Sequence, residues 1–440
     1  MKNHMKLIIT GMAVLLSVPV SQAELPETPS LYITTNGAHV NLYWDEITGA
    51  DNYTLIASNS NDGSLFGQFD LGDNTQVSTV LPSGSGLFVS IRAENAEGNS
   101  GFSLPRLLLV PSVSATVPSV QEVIQNYSRN VIFNTYIDLA EQTKLLRASI
   151  LELQLETTTK NLHQAQNAWR NARRPWEQSE SFLFGPVDTQ GLDPSLDSWP
   201  INATDIQNVM DSDSPLTTEA VSAFDPTLKG FHVIEFLLFG NNNNKAASEL
   251  TTREMEYLIA AATALSNDAQ TLVDAWNPNA GNFLSELSRA GAGSTTYPSL
   301  ASAVQEMVEG MIGIVDEVIN GKLLKPLDER DPNLVESQFS GNSRTDFINN
   351  IRGIRNVYTG TYLLSEGPGL NALVKSINPA LDEAINNQIE KTITTIYAIP
   401  QPFTVSISSD SDSIQTAIDE TENLLTLLID QLLPLVRTIR

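Results

Sequence analysis

The sequence predicts a mainly α protein: one or two antiparallel helical bundles over residues 120–440, preceded by a small β-sandwich over residues 25–110. Three observations carry this. Residues 25–110 change roughly every eight to twelve residues between short β-rich runs and turns rich in Gly, Asn, Asp and Ser. From Val120 onward, apolar residues recur at helical spacing over long stretches. Between the two textures lies PSVSATVPS, residues 111–119, a linker.

Residues 1–23 have the form of a secretory signal: Lys2 and Lys6, an apolar run over 7–20, then Ser21-Gln22-Ala23 before Glu24. Cleavage is expected after Ala23. In the β region, VNLYWDEITGADNYTLIAS (40–58) and LFVSIRAENAEGNSGFS (87–103) resemble a fibronectin type III domain. Trp44 stands as its core tryptophan, Tyr53 and Leu55 face inward, and Ile91, Ala93 and Asn95 fit the late-strand pattern. Leu87 stands where these domains usually carry a corner tyrosine. The resemblance implies a spacer or docking module. His39 has no neighbouring ligand and reads as structural or exposed.

In the helical region, the first helix is expected over 120–157 and a second through HQAQNAWRNARRPWEQSESFLFG, residues 163–185. Further helices are expected at 252–276, 299–320, 344–360, 378–397 and 413–437. Their length and apolar stripes favour antiparallel bundles. The most apolar stretch, 424–436, contains Asp430, Gln431 and Pro434 and is shorter than the roughly 20 residues a membrane span requires. It reads as a buried C-terminal helix.

With 51 acidic and 25 basic residues among 440, the formal charge is −26; losing Lys2 and Lys6 with the signal moves it to −28. That sign argues against nucleic acid or anionic lipid as partner and for cations. Without cysteine, disulfides, thiol chemistry and a lipid anchor on an N-terminal cysteine are all excluded. No integral membrane segment is expected.

The chemistry points to KGFHVIEFLLFG, residues 229–240. Asp225 reads as an N-cap, Pro226 as the first helical residue and Gly240 as the stop, which predicts one helix of about four turns. His232 and Glu235, three apart, share one face of a helix apolar on every other side. Such a helix is buried, and a buried ionisable pair must be hydrogen-bonded, paired or metal-bound. The bland reading is a pair that satisfies itself.

Three segments together resemble the imelysin family, also called the M75 peptidase family, and its iron-regulated periplasmic relatives. They are ARRPWEQSESFLFGPVD (172–188), continuing into GLDPSLDSWPIN (191–202); GFHVIEFLLFG (230–240), which matches the family's G-x-H-x-x-E signature with Gly230, His232 and Glu235; and VESQFSGNSRTDFINNIRGIRNVYTG (335–360). The resemblance implies two helical bundles, a functional site at their interface and a role in bacterial iron acquisition, and it carries a metallopeptidase label.

A zincin requires H-E-x-x-H and a third protein ligand, and this chain has no such motif. Beyond the signal only His39, His163 and His232 remain, and His163 lies on a polar stretch. Ligands besides His232 must therefore come from carboxylates, carbonyls or water, which suits iron or another hard cation, or a metal chelate, over zinc. Glu180 is the expected carboxylate ligand beside His232 and Glu235. Pro175 is expected to kink its helix and free a carbonyl near Asn171. Arg174 is a candidate to balance charge or clamp an anionic ligand. Trp176 is placed at the site wall, although Trp169, Trp176 and Leu183 also form a seven-residue core repeat. Glu336, Ser337, Asn350 and Arg355 are candidates for the facing wall. Ser343-x-x-Asp346 reads first as a capping box, and Tyr358 as packing. Three functions remain open: an exported periplasmic iron-binding protein of the cell envelope, with peripheral attachment at the outer membrane through an envelope partner of the β domain as one arrangement; an M75-type metallopeptidase using the same motif; and a non-catalytic interaction scaffold.

Overall fold

The computed structural model describes residues 25–36, 38–59, 65–82, 85–103, 106–110, 117–363 and 367–438. The expected signal and most of the expected linker lie outside them. Two compact units meet at Val113 and Ser114 along the chain.

The first unit holds strands β1 (Leu31–Asn36), β2 (His39–Trp44), β3 (Asn52–Asn59), β4 (Leu65–Asp70), β5 (Gln76–Val80), β6 (Gly86–Asn95), β7 (Gly98–Asn99) and β8 (Arg106–Leu109). One antiparallel sheet runs β1-β2-β5; the other runs β4-β3-β6-β7, with β8 also on β6. The period-2 pattern of the strands places Val40, Leu42 and Trp44 opposite Tyr53, Leu55, Val89, Ile91 and Ala93 in one core. Trp44 packs on Tyr53 at 5.5 Å between ring centroids, as the fibronectin-like pattern leads one to expect. Leu87 is buried in the same core and His39 is exposed.

The second unit is helical. Asn134–Leu155, Thr159–Ser179, Gly230–Phe239 and Thr252–Trp276 pack into one group, and Leu300–Glu317, Ser343–Thr359, Pro379–Ala398 and Ser411–Thr426 into another. Thr159–Ser179 also packs on Ser343–Thr359, so the groups share a continuous apolar core. The long helices fall close to the expected spans, with π-helical turns at Tyr127–Phe133, Val318–Leu324 and Leu427–Leu432. At the C-terminus Leu424, Leu428, Leu432 and Val436 are buried along one stripe. No helix among the described residues is long and apolar enough to cross a membrane. Leu192–Asp197 and the neighbouring short helices between 186 and 222 have no counterpart in the periodicity, since elements of one or two turns are too short to show one.

The motif helix departs from expectation. Asp225 caps only a 3-10 turn, Pro226–Leu228; the chain is then extended at Lys229 and a separate helix runs Gly230–Phe239. Gly230 makes the break, at φ +79°, where side chains are disfavoured. A Cβ on it would lie 2.4 Å from the Leu196 carbonyl oxygen. Only glycine lets the two helices touch there, and that contact sets Asp197 beside the motif. The helix through Pro175 stays a single element, Thr159–Ser179, tied to the motif helix by Trp169 Nε1 donating to Phe231 O at 2.9 Å. Gly230→Ala should lower unfolding stability by about 2–4 kcal/mol, combining φ strain with the clash. A urea titration that returns the wild-type midpoint would refute this account of the break.

Candidate metal centre

The i, i+3 spacing does what it promises. His232 Nδ1 lies 2.9 Å from Glu235 Oε2, and Glu235 Oε1 accepts from the Ser340 backbone N–H and hydroxyl at 2.8 Å each. Both oxygens of Glu235 are used within the protein, so it orients the imidazole. The opposite nitrogen, Nε2, points at Asp197 Oδ1 (3.2 Å) and Glu336 Oε1 (3.9 Å). The contact to Asp197 lacks hydrogen-bond geometry, and Nε2 is buried without a hydrogen-bond partner among the described residues.

Two cations stand among the carboxylates. Arg173, wholly buried, donates to Glu177 and Asp197 and to Glu336 at 3.0 Å; its Nε is 3.8 Å from Asp346 and its plane lies over Phe231. Lys322, on the π-helical turn Val318–Leu324, places Nζ 2.8 Å from Glu180, 3.0 Å from Glu336 and 3.4 Å from Glu177. Asn350 donates to Glu177 and Glu180 at 2.7 Å each. It reaches them because Gly353 lets its helix approach closely: a Cβ there would lie 2.5 Å from Gln178 O. Trp176 Nε1 donates to the other oxygen of Asp197.

Five carboxylates, Glu177, Glu180, Asp197, Glu336 and Asp346, thus converge on two permanent cations, Arg173 and Lys322. Burial pushes Asp197, Glu336, Glu180 and Asp346 up, and the partners decide which of the four stay charged. For Asp197, burial is outweighed by Arg173 and His232, which hold it well below the usual range. For Glu336, burial is outweighed by Lys322, His232 and Arg173, which hold it at about 2. Burial wins at Glu180, raised well above its ordinary value against the pull of Lys322, and at Asp346, pushed up to about 7. Burial disfavours the His232 imidazolium, but the Asp197 charge and the bond to Glu235 hold its pKa well above the ordinary value.

Two groups of side chains bring ligand atoms within 4.8 Å of one another: Asp197, His232 and Glu336, and Glu177, Glu180, Asp197 and Glu336. The first fits a metal ion. It offers two ionised carboxylates and the Nε2 of His232, whose proton an entering metal would displace, a hard, oxygen-rich set. The second has the geometry, but Lys322 already sits against Glu177, Glu180 and Glu336 within it.

Of the residues expected here, His232, Glu235, Glu180, Trp176, Glu336 and Asn350 are brought together, with Gly230 supporting them. Ser337 is buried beside Glu336 at φ +51°, its hydroxyl without a hydrogen-bond partner among the described residues. Others are not brought in. Arg174 pairs with Asp138 at 2.7 Å, and the arginine in the cluster is its neighbour Arg173. Successive helical residues point about 100° apart, which separates the two. Arg355 pairs with Glu390 at 3.2 Å, away from the cluster. No capping box forms at Ser343: Asn342 is the N-cap, the Ser343 hydroxyl donates to Glu336 O, and Asp346 accepts from Asn342 at 2.7 Å inside the cluster. Tyr358 is packed and donates to Asp382. Sequence reasoning missed Arg173, Glu177, Asp197 and Lys322. Asp197 lies in the segment matched to the family, and Glu177 sits one turn from Arg173; Lys322 gives no signal.

The imelysin family profile, peptidase M75, matches residues 132–432. The chain belongs to the imelysin family. It is 32% identical over 326 residues to iron-regulated protein A of Synechococcus elongatus, covering 72% of this chain and 86% of that one. The fold is similar to the crystal structure of a putative iron-regulated protein A precursor from Parabacteroides distasonis, with TM-score 0.66 and 29% identity over 74% of this chain and 96% of that one. It also resembles an imelysin-like protein from Psychrobacter arcticum, with TM-score 0.60 and 16% identity, covering 74% of this chain and 97% of that one. The second likeness speaks to fold alone.

In this imelysin, Arg173→Met strands Glu177, Asp197 and Glu336 without their shared cation. The expected cost is about 3–5 kcal/mol, because breaking a buried ion pair leaves the partner charge uncompensated. Guanidinium unfolding should show it, and a loss under about 1 kcal/mol would mean that Arg173 is peripheral to the network.

Proposed function

We propose that this imelysin is an exported metal-binding protein of the cell envelope that serves iron uptake, with iron held by His232 Nε2, Asp197 and Glu336. The observation that carries the reading is the buried Nε2 without a hydrogen-bond partner, 3.2 Å from one carboxylate oxygen and 3.9 Å from a second. Glu235, with Ser340 behind it, orients the ring rather than ligating. Glu180 belongs to the adjoining carboxylate group. The donor set favours iron over zinc, and the name of the Synechococcus relative points the same way.

Burial favours retention over turnover. The side chains of Asp197, His232, Glu235 and Glu336 are at most 4% exposed, whereas a peptidase must bring a substrate carbonyl to an open metal position. The fibronectin-like unit serves as the docking module toward an envelope partner, and the periplasm is the expected location.

The test is elemental analysis and calorimetric titration of residues 24–440 with iron and zinc in parallel. Wild type should bind iron; His232→Ala should weaken binding by about 100-fold or more, and Glu235→Gln by about 10–100-fold, as loss of an orienting partner does. Circular dichroism establishes that each variant is folded. Zinc-dependent cleavage of a denatured protein, lost in His232→Ala, would replace the carrier by the peptidase. Absence of metal binding in folded wild type would overturn both.

A further inference from the structure

Lys322 is the feature that the metal reading leaves unused. Its amino group, 1% exposed, sits against three buried carboxylates: Glu180 at 2.8 Å, Glu336 at 3.0 Å and Glu177 at 3.4 Å. Ligand atoms of these three acids and of Asp197 lie within 4.8 Å of one another, so the ammonium occupies the place that a cation takes in such a cage. Asp197 and Glu336 also face the orphaned His232 Nε2. The lysine and a metal at His232 therefore draw on the same carboxylate, Glu336.

A fourth contact gives the direction of release. Lys322 Nζ is 3.9 Å from Glu317, whose side chain is 51% exposed. The lysine stands on the π-helical turn Val318–Leu324, five residues beyond Glu317. A long, flexible amine can leave the buried acids toward a carboxylate at the surface without losing every partner. A second cation within a few ångströms supplies the push, since like charges in a poorly solvated site repel strongly.

From this geometry we infer that Lys322 is a tethered cation that competes with metal: it neutralises the cage in the metal-free protein and moves toward Glu317 when a divalent cation enters. This rests on the metal-binding reading of His232, Asp197 and Glu336. Its consequence is reversible loading, because the protein carries its own replacement for the departing ion.

Two measurements on residues 24–440 test it, with iron(II) under anaerobic conditions as the probe. In the first, calorimetry compares wild type, Lys322→Met and Lys322→Arg. Lys322→Met should bind about tenfold or more tightly, melt lower than wild type without metal and gain more in melting temperature when loaded; Lys322→Arg keeps the charge and should show no such gain. In the second, which needs no variant, an amine-reactive ester followed by mass spectrometry should label Lys322 in the loaded protein and spare it in the metal-free protein. A folded Lys322→Met that binds no more tightly than wild type, or labelling unchanged by metal, overturns the competition and leaves the metal site standing. Iron bound by neither wild type nor Lys322→Met overturns the site and the competition together.

Discussion

The helical unit is organised by the need to keep a buried surplus of carboxylates electrically tolerable. Charges removed from water must find partners, and here one guanidinium serves four acids. Arg173 meets Glu177 on its own helix, Asp197 at the end of Leu192–Asp197, Glu336 on the turn before Ser343–Thr359 and Asp346 within that helix. No two adjacent elements could satisfy it alone. The ion pairs therefore fix which helices converge, while the apolar core supplies the cohesion that holds them there.

Convergence also requires close approach, and the chain provides it by leaving out side chains. Gly230 seats the motif helix on the Leu196 carbonyl, and Gly353 seats Ser343–Thr359 on the carbonyl of Gln178. Each contact is adjacent in sequence or one turn away from a site residue: Asp197 follows Leu196, Glu177 precedes Gln178 and Asn350 precedes Gly353 by three. Packing geometry and site geometry are the same geometry here. That is why a backbone contact without polar chemistry controls the distance between His232 and Asp197.

Much of this was legible in the sequence, and the limits have physical causes. Helical periodicity located the long helices because each has an apolar stripe facing a core, and strand alternation located the inward residues of the β unit. His232 and Glu235 were legible because their relation is local, three residues on one helix. Asp197 and Lys322 were not, because they meet the motif only through tertiary contacts across 35 and 90 residues of chain. Asp346 was misread because S-x-x-D looks the same as a surface cap and as part of a buried network; only burial separates the two. Arg174 was preferred to Arg173 because two adjacent arginines carry no phase information until the helix is docked. The helix start at Asp225 failed for a related reason: cap and proline signals mark where a turn begins and say nothing about where a glycine will break it.

The π-helical turn that carries Lys322 has a bearing on how such proteins diverge. A turn of this kind amounts to one residue inserted into an α-helix. Deleting a single residue there would restore the ordinary ladder; because the wider turn absorbs the extra residue, the helix on either side would keep its phase and only the side chains within the turn, Lys322 among them, would be re-aimed. The ammonium would swing away from the carboxylates, and a neighbouring side chain would face them instead. The internal charge balance of the cage is thereby tied to an insertion of one codon, so two chains that differ by that single step would share a fold and a histidine motif yet differ in the charge set against the same acids.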